Sequence, residues 1–234
     1  MRFTTARRRW CSVLPLRRRD RVVEQLEVSR VAFPVTTLGH GARIGIWVQG
    51  CSIRCRGCIT AATWDRDAER TVGVAALMDG ISDWMSVCDG VTISGGEPLD
   101  QPEGVRALLL ALRAREVGDI LLYTGHSIDH VRAACAWVLR LVDCLVSEPF
   151  DAVAPQTLPL RGSDNQQMHR LTAVARERYP SSLDEPESPG ATRKLDVFSE
   201  GRATYTAGIP LPRERRSLGA SLARDGYRLV REER

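Results

Sequence analysis

Three cysteines, Cys51, Cys55 and Cys58, fall within the run C-S-I-R-C-R-G-C. If the chain loops there, three thiolates surround one centre, and thiolates are the soft ligands taken by iron–sulfur clusters and by zinc. Three thiolates on a cubane of four irons leave one iron bare of protein. A small molecule could chelate that iron through an amine and a carboxylate, whereas an electron carrier has a fourth cysteine there. The competing use is structural zinc, with the tetrahedron closed by Cys88, Cys144 or one of four histidines.

A second group follows about 40 residues on. Gly95-Gly96-Glu97-Pro98 ends an apolar run. Glycine lets a ligand approach backbone without a Cβ clash. A carboxylate can accept charge-assisted hydrogen bonds from an ammonium. Pro98 fixes its own φ and biases Glu97 toward extended backbone. An ordinary strand-to-helix turn would carry the same string, but it would not explain a cysteine triplet on the preceding strand.

The elements that must position these groups alternate. Arg43–Gln49 reads as a buried strand between Gly41 and Gly50. Apolar residues at helical spacing run from Val72 to Val87, and Gly90–Ser94 is a second strand. Pro102 opens a helix whose face is Val105, Leu108, Leu109 and Leu112. Asp119–Thr124 is a third strand, Asp129–Leu141 a helix and Val142–Val146 a fourth strand. A helix is expected from residue 163 to Tyr179, then a linker over Ser181–Thr192, strands at Lys194–Phe198 and Ala203–Ala207, and a helix at Arg213–Asp225. Alternating strands and helices predict an α/β fold, a partial (βα) barrel or open parallel sheet. In such sheets, functional loops sit at the strands' carboxyl ends, where both groups fall.

Charge is uneven. Residues 1–30 carry nine arginines and three acids, so the formal net charge of +4 resides in that segment. It reads as a basic tail at 1–30, ahead of a core at 31–180 and a β/α extension packed on it at 181–234. No apolar run reaches the length of a membrane span, and the patch Trp10–Leu16 is followed by arginines and lacks a small-residue cleavage site. Seven cysteines, an odd number, in a chain of 234 residues suit a reducing cytoplasm, and no membrane or nucleic-acid role is expected.

Four stretches resemble the radical S-adenosylmethionine (SAM) superfamily, and within it the activases of glycyl radical enzymes such as anaerobic ribonucleotide reductase. They are Gly39–Trp64, with the cysteine loop and a following T-W; Ile93–Leu99 (I-S-G-G-E-P-L); Tyr123–His126 (Y-T-G-H); and Arg161–Gln166 (R-G-S-D-N-Q). The resemblance implies that Cys51, Cys55 and Cys58 ligate a [4Fe-4S] cluster. It implies further that Gly57, Cys58, Ile59, Gly95, Gly96, Glu97 and Pro98 bind SAM, and that no catalytic residue beyond the cluster is needed. The implied activity is reductive cleavage of SAM to a 5′-deoxyadenosyl radical that activates a glycyl radical enzyme. Flavodoxin or ferredoxin would be the electron donor.

Ile59 and Thr60 depart from the aromatic or histidine and the asparagine usual in that family, and the chain extends past a small activase. A modifier of a peptide or small molecule, and a zinc-stabilised protein with a basic nucleic-acid-binding arm, are the alternative functions. Arg161, Ser163, Asn165 and Gln166 suit either a ligand or a helix start capped by Ser163 or Asp164. His126 and His130 read as surface residues, Cys135 and Cys144 as small core residues, and Trp84 and Trp137 as packing.

Overall fold

The computed structural model describes residues 24–188, 190–200 and 203–211, with single positions from 214 to 224. The basic segment before Glu24, with Cys11, lies outside the described residues. The helix expected at Arg213–Asp225 is described only at Glu214, Ser217, Gly219, Ala220, Ser221 and Arg224, all helical.

A seven-stranded sheet carries the fold. Its strands are β1 (Gln25–Val35), β2 (Arg43–Val48), β3 (Thr71–Gly73), β4 (Gly90–Gly95), β5 (Ile120–Tyr123), β6 (Cys144–Ser147) and β7 (Gln167–Arg170), in the order β3-β1-β2-β4-β5-β6-β7. The four central strands β2, β4, β5 and β6 are parallel. All six residues of β2 are buried, as expected for a strand covered on both faces. The expected wholly parallel sheet is corrected at its margins: β1 runs antiparallel to β2 and β3, and β7 antiparallel to β6. With β3 and β7 at opposite ends, the sheet of the described residues is open.

Three local expectations also change. Strand β1 starts at Gln25, inside the stretch read as tail, and there Leu26 packs into the core and pairs with Val72. The helix expected over Val72–Val87 becomes β3, α1 (Val74–Gly80) and α2 (Ser82–Met85). Gly80 marks the break, in keeping with its poor helix propensity. The helix expected from residue 163 to Tyr179 is strand β7 followed by α5 (Ala173–Arg178). Met168 alternates inward against Val146, and Thr172 starts α5 by accepting a hydrogen bond from Ala175 N at 3.2 Å.

Helix α3 (Pro102–Arg113) buries Val105, Leu108, Leu109 and Leu112 against Ile44, Ile46, Val91 and Ile93 in the main core. Helix α4 (Ile128–Ala134) adds Val131. The helix expected to reach Leu141 stops at Ala134 and resumes as one 3-10 turn, Val138–Arg140. Cys135 and Cys144 are buried, and Trp84 stacks on Phe33 at 5.8 Å, as expected for packing residues.

At the amino ends of the parallel strands, Arg43 is wholly buried. It donates to Thr92 Oγ1 at 2.6 Å, to Val91 O at 2.7 Å, and to both carboxylate oxygens of Asp119 at 2.7 and 3.0 Å. The Tyr179 hydroxyl donates to the same carboxylate at 3.0 Å, fastening the end of α5 beneath the sheet.

Strands β8 (Asp196–Glu200) and β9 (Ala203–Ala207) pair as a separate hairpin. Asp196 anchors it by accepting bonds from the backbone and hydroxyls of Thr36 and Thr37 at 2.7–3.1 Å. Phe198 and Ile209 pack against Val35, Leu38 and Trp47. The Arg30 guanidinium lies 4.4 Å from the Tyr205 ring centroid and 5.8 Å from that of Trp47. Among the described residues no helix is long and apolar enough to cross a membrane.

Candidate radical-cluster site

Backbone geometry at the carboxyl ends of β2 and β4 builds the site. Gly50 N donates to Thr63 O and Cys51 N to Trp64 O, each at 2.8 Å, closing a loop that holds all three cysteines. The loop turns sharply at Arg54 (φ 50°) and Gly57 (φ 78°), and Cys58 N donates to Cys55 O at 3.1 Å. Glycine takes the second of these conformations without strain. Asp100 grips the loop from the next strand's turn, accepting from Ser52 N at 2.6 Å and Ser52 Oγ at 2.9 Å. Thr60 ties it from the other side: its N–H donates to Cys58 Sγ at 3.4 Å and its hydroxyl to Gly95 O at 3.1 Å. The residue that departs from the family pattern thus braces the third cysteine.

The glycines after β4 have a tighter reason to be glycine than ligand access. Gly95 has φ 106°, and a Cβ there would meet Val48 N at 2.5 Å; a Cβ on Gly96 would meet Gly50 O at 2.0 Å. They allow the two loops to touch backbone to backbone, with Glu97 N donating to Gly50 O at 2.8 Å. Glu97 is almost wholly buried and holds three of the chain's own donors: Leu99 N at 2.9 Å, Thr124 Oγ1 at 2.7 Å and Gly125 N at 2.7 Å. Burial outweighs those bonds and pushes its carboxyl up to about 7. Glu97 therefore joins the β4 and β5 turns, a role the sequence did not disclose.

The two turns and the cysteine loop enclose a cavity of about 230 Å³. Cys51, Cys55, Gly57, Cys58, Ile59, Gly95, Gly96 and Glu97 all line it. Pro98 does not: it is buried in the 3-10 turn behind. Ile59 stands at the rim, 48% exposed. The lining also includes Trp47, Trp64, Tyr123, Thr124, Phe150 and Gln166, and from the far end of the chain Thr206–Pro210. Of these, Trp47, Trp64, Tyr123, Thr124 and Gln166 fall within the motif stretches of the sequence, and Thr206 and Ala207 within an expected strand; Phe150 and Gly208–Pro210 carried no signal, because only tertiary packing brings them here.

The Arg161–Gln166 element braces the wall instead of starting a helix. Arg161 is buried, donates to Leu183 O at 2.5 Å and pairs with Asp184. Asp151 N donates to Ser163 Oγ at 3.0 Å, and Asn165 Nδ2 to Pro149 O at 2.9 Å. Gln166 reaches the cavity while accepting from Gly162 N at 2.7 Å. His126 and His130 stack on each other with centroids 4.2 Å apart, and neither is in the lining.

Several properties of this cavity suit an iron–sulfur cluster with a cationic ligand beside it. Among the described residues, no three His, Cys, Asp or Glu side chains form a group placed to hold a single metal ion. The three thiols share the lining of one cavity. Burial pushes the Cys51 and Cys55 thiols up, so that they are protonated until a metal displaces the protons. The described lining includes Glu97 and no Arg, Lys or His, so a positive guest meets no like charge. The indole N–H of Trp64, also in the lining, is buried without a partner.

Comparison with known proteins agrees with this geometry. A family model described as "4Fe-4S single cluster domain" matches residues 37–169. The anaerobic ribonucleoside-triphosphate reductase-activating protein of Escherichia coli K12 is 32% identical over 148 residues, 59% of this chain and 96% of that protein. The protein of the same name from Haemophilus influenzae is 31% identical over 141 residues, 57% of this chain and 90% of its own length. That of Enterobacteria phage T4 is 28% identical over 134 residues, 56% and 85%. The crystal structure of QueE from Escherichia coli aligns at TM-score 0.36 and 20% identity, covering 44% of this chain and 54% of that one, a likeness too slight to bear on fold or function. With the domain matched over more than half the chain, and the relatives matched over most of their length, this chain belongs to the 4Fe-4S single cluster domain family.

Proposed function

We propose that this chain is a radical SAM activase: it binds a [4Fe-4S] cluster through Cys51, Cys55 and Cys58 and acts on a glycyl radical enzyme; its relatives are named as activating proteins of anaerobic ribonucleoside-triphosphate reductase. The observation that carries the reading is the cavity at the strand ends, where all three thiols meet the Gly95–Glu97 turn. When bound, the reduced cluster supplies one electron to SAM, giving methionine and a 5′-deoxyadenosyl radical.

The chain's own residues hold and shield. Gly57, Cys58, Ile59, Gly95 and Gly96 offer backbone and small side chains to SAM. Glu97 and Pro98 set the shape of the β4 turn beneath it, and Trp64 offers an indole N–H. Asp100 and Thr60 keep the cysteine loop fixed through Ser52 and Cys58. We read residues 31–180 as the catalytic core, with β1 extending it to Gln25, and 181–234 as an appended element. Cytoplasmic residence and a flavodoxin or ferredoxin as electron donor complete the proposal.

Anaerobic reconstitution with iron and sulfide, followed by dithionite and SAM, tests it. The expected result is 5′-deoxyadenosine from the native chain and none from Cys55→Ala. Equal 5′-deoxyadenosine from both, or none from either, would refute the reading.

A further inference from the structure

Two parts of the chain supply the lining of the cavity at the strand ends. The cysteine loop and the turn after β4 lie inside residues 37–169, the span of the family match. Thr206, Ala207, Gly208, Ile209 and Pro210, at and after the end of β9, lie outside that span and line the same cavity.

The hairpin that carries them is seated by specific contacts. Asp196 accepts from the backbone and hydroxyls of Thr36 and Thr37 at 2.7–3.1 Å. Arg30 of β1 lies opposite Trp47 of β2, and its guanidinium lies 4.4 Å from the Tyr205 ring centroid. Arg30 Nε is buried without a hydrogen-bond partner, and the faces of the Tyr205 and Trp47 rings take the place of one. Tyr205 pairs across the hairpin with Phe198, which packs with Ile209 against Val35, Leu38 and Trp47. At Gly208 the backbone has φ 126°, and a Cβ would meet Leu195 Cδ2 at 2.8 Å and Thr37 Oγ1 at 3.1 Å. Glycine therefore lets the chain leave β9 close against the threonine that holds Asp196. Trp47, only 6% exposed, both seats the hairpin and lines the cavity.

The chemistry of this wall differs from that of the turn facing the cysteines. The turn presents backbone and the Glu97 carboxyl, whereas the extension brings Ala207, Ile209 and Pro210 beside Leu38 and Trp47. On the activase reading, the amine and carboxylate of SAM are held at the cluster and the β4 turn. Residues 206–210 belong to neither, so they meet the rest of the molecule. Apolar and aromatic surface suits the flat, uncharged nucleobase found there.

We infer that the extension is part of the SAM site: Arg30, Tyr205 and Asp196 dock the β8–β9 hairpin so that residues 206–210 form the wall against which the adenosyl portion lies. This rests on the activase reading. None of the three docking residues lines the cavity, so they are positioning residues. With the wall seated in advance, binding does not have to order it. Freeing the hairpin transfers that ordering to the binding step, and affinity for the adenosyl portion falls.

The test uses the full chain, reconstituted anaerobically with iron and sulfide and left oxidised, so that SAM binds without being cleaved. Equilibrium dialysis measures Kd for two probes, SAM and methionine, beside the iron content. Asp196→Ala and Tyr205→Ala should each raise the Kd for SAM about tenfold, with the Kd for methionine and the iron content unchanged. Tyr205→Phe keeps a ring beside Arg30 and should bind SAM as the native chain does. A Kd for SAM that stays put in both alanine variants overturns the inference. So does a Kd for methionine that rises by the same factor, or a loss of iron, because the variants would then loosen the whole site. A native chain that holds no iron and sulfide overturns the activase reading itself, and the wall falls with it.

Discussion

The two ends of the parallel strands are built on opposite rules. At the amino ends, Arg43, Asp119, Thr92 and Tyr179 are buried and give their hydrogen bonds to one another. At the carboxyl ends, three thiols face a cavity, the Trp64 N–H is buried without a partner, and backbone loops touch through glycines that admit no side chain. A buried polar group with no internal partner is costly. The closed end serves stability; the open end is organised for something the chain does not itself supply.

That contrast makes separable predictions. The largest effect on stability belongs to the closed end. Asp119→Ala leaves the Arg43 guanidinium buried without its carboxylate and should cost about 3–5 kcal/mol in denaturant unfolding. A cost below about 1 kcal/mol would show that the network is not a closed unit.

Next comes Glu97, which stands between the two regimes: buried and satisfied, yet on the cavity. Its carboxyl lies near 7 in the folded chain against an ordinary value near 4.5 when unfolded. Between those values the folded chain keeps a proton that the unfolded chain releases. The stabilising contribution is therefore complete below pH 4.5 and lost as pH rises through about 7. For the metal-free chain this amounts to about 3 kcal/mol, read as a falling midpoint in urea across that interval. Glu97→Gln should flatten the slope. A midpoint as pH-dependent in Glu97→Gln as in the native chain would assign the slope to other groups.

The smallest stability effect is expected where the functional effect is greatest. Cys55→Ala removes a half-buried thiol from an exposed loop and should move metal-free stability by no more than about 0.5–1 kcal/mol, while abolishing iron retention. A large loss of stability without metal would mean that the cysteine loop belongs to the closed regime after all.

The two regimes also differed in how far the sequence disclosed them. The central strands β2, β4, β5 and β6 could be read because short apolar runs end in glycine or a turn, and the cysteine spacing declared itself. Strand β1 was obscured by the arginine-rich segment it grows from, and β7 by a polar run in which only Met168 reaches inward. Glu97 lines the cavity, but its partners Thr124 and Gly125 come from the next strand, which no local pattern links to it. The hairpin's residues were legible as strands; their position beside the cysteines depends on Asp196 finding Thr36 and Thr37, 160 and 159 positions away. The zinc reading of the same cysteines does not accord with membership of a single-cluster iron–sulfur family. What the sequence resolved least was the long-range pairing of polar groups, because such contacts have no period along the chain.

Metal analysis of anaerobically reconstituted chain, with electron paramagnetic resonance before and after SAM, tests the central claim most directly. The account predicts about four irons with matching sulfide per chain and a reduced-cluster signal that changes when SAM is added, all absent in a Cys51→Ala, Cys55→Ala, Cys58→Ala triple variant. One zinc without sulfide, or iron retained by the triple variant, would contradict it.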